Sequence, residues 1–245
     1  MSHKETAVLA WKQCENWNEG SNHGGGVGIT GITSAQDNNI FPDIARDEWL
    51  EPSDYYRKIF LTATSGEITH PLIWIEADTL SDNDSISIRL TGTLAKNGDP
   101  YEQGTGEVIL EHTLIGGIAT CTAVIGDGTA FLSEFNIGER AYYRNDHTLT
   151  LTVCDITEIV SDTHMHITPV TRDISGDEGI EWGTIWLDNL LIPELETPLT
   201  VETALQSRSL TPGNPIGIFI QRHFIGGART GYKGNSFTIR VETGD

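Results

Sequence analysis

Basic side chains are scarce in this 245-residue chain. Lys and Arg together number 15 against 35 Asp and Glu, which gives a formal net charge of −20 at pH 7. No cluster of Lys or Arg interrupts the acidic background. Because affinity for nucleic-acid phosphates comes from clustered basic side chains, the composition argues against DNA or RNA as a partner.

Cysteine is also scarce, since the chain holds only Cys14, Cys121 and Cys154, far apart from one another. Secreted disulfide scaffolds are short and dense in cysteine, and zinc ribbons use CxxC pairs. Neither pattern is present. The sequence therefore predicts three reduced thiols and assembly in a reducing cytoplasm, with Cys121 and Cys154 buried in strands.

Long hydrophobic runs are missing as well. A membrane-spanning helix needs about 20 consecutive apolar residues, and no run in the chain approaches that length. The polar segment Met1–Gln13 lacks the apolar stretch and the small-residue cleavage site of a secretory signal peptide. We therefore expect no membrane partner and no export by a signal peptide.

Sequence motifs that carry catalysis are absent too. There is no GxSxG elbow, no HExxH, no GxxxxGK[ST] phosphate loop and no DxDxDG calcium loop. Gly24–Gly28 (GGGVG) lacks the preceding apolar strand and the following helix of a dinucleotide-binding loop. A carboxylate pair for glycoside hydrolysis can always be nominated among 35 acidic residues, so none is nominated. The chain is predicted not to be an enzyme and to use no catalytic residue and no cofactor.

Two patterns could bind a metal, but each has a simpler structural interpretation. His164 and His166 alternate along a predicted strand, which puts both imidazoles on one face without an identifiable third ligand. Asp82 and Asp84 are typical of a polar turn. No metal site is predicted. The aromatic residues that could stack on a sugar are expected to pack in the core instead; they are Trp49, Tyr55, Trp74, Trp182 and Trp186.

Short runs rich in β-branched and aromatic residues predict strands along most of the chain. In Ser85–Leu90, isoleucine and leucine alternate with polar residues, the pattern of a half-buried strand. Only Pro42–Leu50 and Ala204–Ser209 resemble helices. The predicted fold is all-β, an antiparallel β-sandwich that is jelly-roll-like. The predicted strands are Arg57–Thr62, Leu72–Ala77, Ser85–Thr91, Glu107–Ile115, Ala119–Ile125, Thr148–Val153, His164–Val170, Ile180–Leu187, Ile216–Arg222 and Ser236–Glu242.

Two polar stretches divide these strands into blocks. Gly92–Gly106 and Thr171–Gly179 are rich in turn-forming residues and enclose strands with their own apolar positions. Two arrangements remain open. The chain is either one continuous sandwich with a long loop, or a host sandwich of residues 38–91 and 187–245 with a β subdomain inserted at 92–186.

The first 37 residues have a character of their own. Asn16–Gly31 is rich in Gly and Asn, and Trp11 and Trp17 lie at its start. Such a composition does not form a core by itself. We predict that residues 1–37 form an extended docking arm, free in the lone subunit, which contacts a neighbouring subunit through Trp11 and Trp17. The alternative is a flexible terminus.

Two segments near opposite ends of the chain resemble one group of proteins. Asn38–Ile75 contains NNIFPDI, DYYRKIFL and LIWI, and the C-terminal segment contains LTPGNPIGIFIQR and NSFTIRVE. They are similar to the NxLFDDV, [DE]YR[KC], VWI, LxPGDxIGIWVRR and NDSFTLRVEG patterns of structural proteins from tailed bacteriophages and prophages. The matching C-terminal positions are Leu210, Pro212, Gly213, Ile216, Gly217, Ile218, Phe219, Ile220, Arg222, Asn235, Ser236, Phe237, Thr238, Arg240, Val241 and Glu242.

The resemblance has departures, and it implies a role rather than an active site. Gln221 stands where the group has Arg, Pro42 replaces an acidic residue, and the region between the two segments does not match, which favours an insertion. The resemblance implies a late, homo-oligomeric virion protein whose partners are itself and other virion proteins. A tail, baseplate or neck position is preferred over capsid decoration. The alternative from another class is a carbohydrate-binding or adhesin module on a β-sandwich.

Overall fold

The computed structural model describes residues 7–17, 23–36, 39–42, 51–78, 83–97, 101–146, 149, 151–174, 180–188, 195–226 and 236–243. Strands dominate these residues. In chain order they are β1 (Val8–Asn16), β2 (His23–Gly31), β3 (Ser53–Ser65), β4 (Leu72–Ala77), β5 (Asp84–Thr91), β6 (Lys96–Asn97), β7 (Tyr101–Gln103), β8 (Glu107–Ile115), β9 (Ile118–Asp127), β10 (Arg140–Asn145), β11 (Leu151–Ser161), β12 (His164–Asp173), β13 (Gly183–Asp188), β14 (Leu205–Gln206), β15 (Ile216–Phe224) and β16 (Thr238–Glu242). One α-helical turn, α1 (Phe131–Glu134), interrupts them.

The chain divides into two compact units. The first comprises Met1–Leu90 and Pro193–Asp245, and the second comprises Thr91–Ile192. In the sequence, the second unit is therefore an insertion between the two segments of the first. The sequence-based limits for the insertion, 92 and 186, fall within this second unit.

The first unit is an antiparallel sandwich, so the predicted all-β fold is confirmed. The strands of its larger sheet follow the order β5-β15-β3-β1-β2, and its smaller sheet has the order β14-β4-β16. Along β5, Ile86, Ile88 and Leu90 are buried while Ser85 is exposed, as the alternation predicts. The core between the sheets comprises Phe41, Ile59, Leu61, Ala63, Ile68, Ile73, Ile75, Ile86, Ile88, Leu90, Leu210, Ile216, Ile218 and Ile220.

The described part of the predicted docking arm forms strands of this sandwich, which is a correction. β1 pairs with β3 from Val8 opposite Ser65 to Gln13 opposite Ile59, and β2 pairs with β1. Gly28 of β2 serves close packing, because a Cβ placed on it would lie 2.7 Å from the carbonyl oxygen of Cys14. Only glycine permits such an approach between two backbones. The Gly-rich composition therefore marks a tightly packed strand rather than a free arm.

The second unit is a small barrel with its own core, a closure that the sequence analysis did not predict. Its strands follow the ring β10-β11-β12-β9-β8-β13, and β13 pairs back onto β10. Gly116 and Gly117, with φ of 60° and 83°, form the two-residue turn between β8 and β9, a turn that needs positive φ. The interior holds Val108, Leu110, Ala119, Cys121, Val124, Phe131, Phe135, Ala141, Tyr143, Cys154, Ile156, Met165, Ile167, Ile185 and Leu187.

Neither predicted helix is present in the described residues. Beyond Pro42, the first candidate lies outside the described part of the chain. In the second, Ala204–Ser209, residues Leu205 and Gln206 form β14 opposite Ile73 and Leu72 of β4. A 3-10 turn at Val201–Thr203 precedes this strand. Because Leu205 packs on the sandwich core, pairing with β4 overrides a weak helical pattern.

Candidate interaction surfaces

The two tryptophans predicted to contact a neighbour pack against this chain's own core. Trp11 lies on β1 opposite Leu61 of β3. Trp17 follows β1, and the guanidinium carbon of Arg57 lies 5.7 Å from the centre of its ring. Both indoles are partly buried against the core of the first unit. The structure therefore gives each a place within the subunit.

The candidate metal ligands in the described residues lie next to charged side chains of the same chain. His164 and His166 lie on one face of β12 with ring centres 4.9 Å apart, and each Nε2 has a carboxylate 3.8–3.9 Å away, Glu111 and Glu158 respectively. Asp84 is buried and bound by Arg222, while Asp82 lies outside the described residues. Within the described ranges, no group of three or more His, Cys, Asp or Glu side chains could hold a metal ion.

All three cysteines are free and buried. Burial raises the pKa of Cys14, of Cys121 and of Cys154, in the last case to about 12. A thiol needs a lowered pKa and access to solvent to act as a nucleophile. These cysteines therefore fill space in the two cores.

The protonation of buried His23 couples the stability of the first unit to pH. Burial, reinforced by the charge of Arg57, lowers the pKa of His23 from 6.5 to about 4. The pKa of His23 is lower in the folded chain than in the unfolded chain. The contribution of neutral His23 to the unfolding free energy is therefore complete above pH 6.5 and is lost as the pH falls towards 4.

We expect the wild-type chain to lose roughly 2–3 kcal/mol more unfolding free energy than His23→Gln between pH 7 and pH 4.5. Urea denaturation of both proteins at both pH values measures the difference. Equal losses in the two proteins would show that His23 does not titrate in this range.

The outer surface of the barrel carries an aromatic face, defined here as Tyr101, Tyr142 and Trp186. Trp186 of β13 lies directly opposite Tyr142 of β10, and Tyr101 of β7 lies opposite Asp188. Tyr101 is 46% exposed, and the other two rings are half-buried. The prediction that Trp186 packs in the core is therefore wrong. The neighbouring core positions of β13, Ile185 and Leu187, point the other way.

Trp182 is also solvent-accessible, so the prediction that it packs in the core is wrong. Its side chain is 44% exposed and lies just before β13. Alternation along a strand indicates which face a side chain lies on only within the strand. Trp182 precedes β13, so the apolar residues next to it do not indicate whether it is buried. The apolar run at β13 contains residues that face the barrel interior, such as Ile185, and residues that face outward, such as Trp186.

A gap between β11 and β12 forms a second surface, called the seam. The two strands pair from Ile156 opposite Ile167 to Ser161 opposite His164. Next to this ladder, the hydroxyl of Thr168 accepts the N–H of Asp155 at 3.1 Å, and Pro169 has no N–H to donate. Beyond it, residues 151–153 and 170–173 line an open groove of about 490 Å³.

The side chain of Arg172 on β12 lies on the interior side of the barrel wall, next to this groove. Arg172 lies opposite Ala119, whose side chain is in the barrel interior. Its Nη1 is buried and has no hydrogen-bond partner in the described part of the chain. A buried donor without a partner is costly, so an acceptor that reached this atom would stabilise the protein.

Exposed apolar side chains adjoin the seam. Leu151 and Val153 on β11 are exposed, and so are Leu114, Ile115 and Ile118 at the tip of the β8–β9 hairpin. Ile118 pairs with Asp173 at the end of β12 that lines the groove. Exposed apolar side chains grouped beside a groove make this surface a candidate for an interaction.

Among the described residues, no helix is long and apolar enough to cross a membrane. Comparison of the chain with protein-family models, with curated proteins and with solved structures finds no match. The proposal of a function therefore rests on the surfaces described above and on the sequence patterns.

Proposed function

We propose that this chain is a non-enzymatic structural subunit of a tailed-bacteriophage virion. The observation that supports this most is how its two resembling segments pair. Asp54–Ile75 and Leu210–Glu242 are far apart in sequence, yet β3 pairs with β15 and β4 pairs with β16. The segments that resemble phage structural proteins thus supply paired strands to both sheets of the first unit, as expected if the resemblance reflects a shared fold.

The inserted barrel supplies the contact surface in this proposal. Strand addition gives affinity through backbone hydrogen bonds at unpaired strand edges, and the seam offers such edges on β11 and β12. The occupant we propose is an extended segment of a neighbouring copy of this chain. In a chain with 35 acidic residues, such a segment can present a carboxylate or carbonyl to Nη1 of Arg172.

The same features suit a repeated component of a particle. Many weak, identical contacts in a closed symmetric ring add up to a stable assembly. The strong negative charge keeps free subunits apart until specific contacts form. We place the protein in the tail, baseplate or neck of the virion, assembled in the host cytoplasm with its thiols reduced. Decoration of the capsid surface is the alternative position.

Complementation of the encoding phage tests the proposal. The phage genome lacking this gene is supplied with the wild-type chain, with Leu151→Glu/Thr171→Glu, or with Thr157→Glu/Val160→Glu. The first pair adds acidic charge on both sides of the seam, and the control pair adds the same charge at exposed positions elsewhere on β11.

We expect the wild type and the control to restore complete particles, and the seam variant to yield at least about tenfold fewer. Electron microscopy and plaque counts measure both. Complete, infectious particles formed without any copy of the chain would overturn the proposed function. A seam variant that assembles normally would overturn only the role of the seam.

A further inference from the structure

We propose that the aromatic face of the barrel binds a neutral glycan, a function beyond the structural role and at a site that adjoins the seam only through Val153. Tyr101, Tyr142 and Trp186 would stack on the C–H faces of sugar rings. The polar side chains around them would bind the sugar hydroxyls. The proposal is carried by the register, the fixed geometry of the rings and the balance of charge on this face.

The register of four strands places Trp186 and Tyr142 in one row between Gln103 and Val153, and Tyr101 lies in the neighbouring row, opposite Asp188. Trp186 lies opposite Gln103 on one side and opposite Tyr142 on the other, and Tyr142 lies opposite Val153. Because neighbouring strands are about 4.8 Å apart, the row spans roughly 14 Å. This length suits an oligosaccharide of a few sugar units.

Hydrogen bonds hold the rings in place before any ligand arrives. Trp186 Nε1 donates to Thr184 Oγ1 at 3.0 Å, and the Tyr142 hydroxyl donates to Asp188 Oδ2 at 3.0 Å. Tyr101 meets Tyr142 edge to face, with ring centres 5.3 Å apart. Rigid aromatic side chains lose little entropy when a ligand binds, which favours weak ligands such as sugars.

The phenol of Tyr142 stays a donor at every physiological pH. Burial raises its pKa to about 12, and the hydrogen bond to Asp188 acts in the same direction. This bond fixes the orientation of the phenol on the aromatic face. The Tyr142 ring therefore stays neutral and fixed beside Trp186.

The charges around the aromatic face nearly cancel. Arg140 binds Asp155 through two nitrogens, at 2.7 and 3.4 Å. Arg144 and Asp188 add one charge of each sign, and Asp146 accepts a bond from Thr184 at 3.4 Å. On a chain of net charge −20, a nearly neutral face favours an uncharged ligand over a polyanion.

The size of the face favours a glycan over a protein. A stable protein interface buries about 800 Å² on each partner, whereas an aromatic side chain offers at most about 150–250 Å². Two of the three rings here are already half-buried. The exposed area of these three rings alone is therefore far below what a stable protein interface buries, and it suits a small ligand such as a sugar.

Titration of the full chain with defined sugars tests the proposal. The probes are neutral hexasaccharides of glucose, galactose, mannose and N-acetylglucosamine, with a heparin hexasaccharide as the anionic comparison. Binding is measured by calorimetry and by tryptophan fluorescence. Tyr101→Ala removes an exposed ring of the aromatic face, and Trp182→Ala is the control because it removes an exposed ring outside it.

We expect at least one neutral hexasaccharide to bind, Tyr101→Ala to weaken it about tenfold, and Trp182→Ala to change it less than about twofold. The variants keep the wild-type circular dichroism spectrum. Failure of every neutral probe, equal binding by Tyr101→Ala, or stronger binding of the heparin probe would overturn the proposal. These outcomes leave particle assembly unaffected, so they are distinguishable from a failure of the proposed function.

Discussion

A chain that lacks residues 1–31 is expected to lose the fold of its first unit. Removing β1 and β2 deletes two strands from the larger sheet and leaves one edge of β3 without a partner. It also removes Trp11 and Trp17, which pack against the core of the first unit. We expect a loss comparable to the whole stability of a domain, about 5–15 kcal/mol, and aggregation through the bare β3 edge.

Soluble yield, far-UV circular dichroism and urea denaturation measure this loss. A chain that lacks only residues 1–6 is the control, because it keeps β1 and β2 complete and should behave as the wild type. If the chain lacking residues 1–31 stayed soluble with an unchanged urea midpoint, the N-terminal segment would be a dispensable arm after all.

Replacing Asp84 by alanine is expected to lower the unfolding free energy by about 3–5 kcal/mol. Arg222 Nη2 lies 2.6 Å from Asp84 Oδ2, and its Nε lies 3.0 Å from both oxygens. The side chain of Arg222 is 12% exposed, and that of Asp84 is 0% exposed. Without the carboxylate, the guanidinium stays inside the protein with only the Pro42 carbonyl, at 3.4 Å, among its described acceptors.

The next residue of β15 provides a matched control. His223 Nδ1 lies 2.7 Å from Asp54 Oδ1, but both side chains are more than 40% exposed. Because solvent screens exposed pairs, Asp54→Ala should cost less than about 1 kcal/mol. Urea denaturation of both variants compares them directly. Equal and small effects would show that the Arg222–Asp84 pair contributes little to the fold.

The sequence predicted strands best where one face of the strand is buried and the other is exposed to solvent. Alternation in β5 and β16 and the β-branched runs of β4 and β8 locate these strands with errors of one or two residues at most. The prediction from sequence failed at β2, because Gly28 there allows the backbone of β2 to approach that of β1 closely. Composition cannot distinguish that use of glycine from flexibility.

Long-range pairing was beyond the sequence patterns. Nothing local indicates that β13 closes a ring with β10, or that Asp84 binds Arg222 across 138 positions of sequence. For the same reason Trp186 was assigned to the core. Its side depends on the register of β13 against β7 and β10 rather than on its apolar neighbours.

Cryo-electron microscopy of particles purified from the encoding phage tests the central proposal most directly. The account predicts many symmetry-related copies of this chain in the tail, baseplate or neck, with an extended segment of a neighbouring copy in each seam between β11 and β12. Particles that are complete and infectious but contain no copy of the chain, by microscopy and by mass spectrometry, would contradict it.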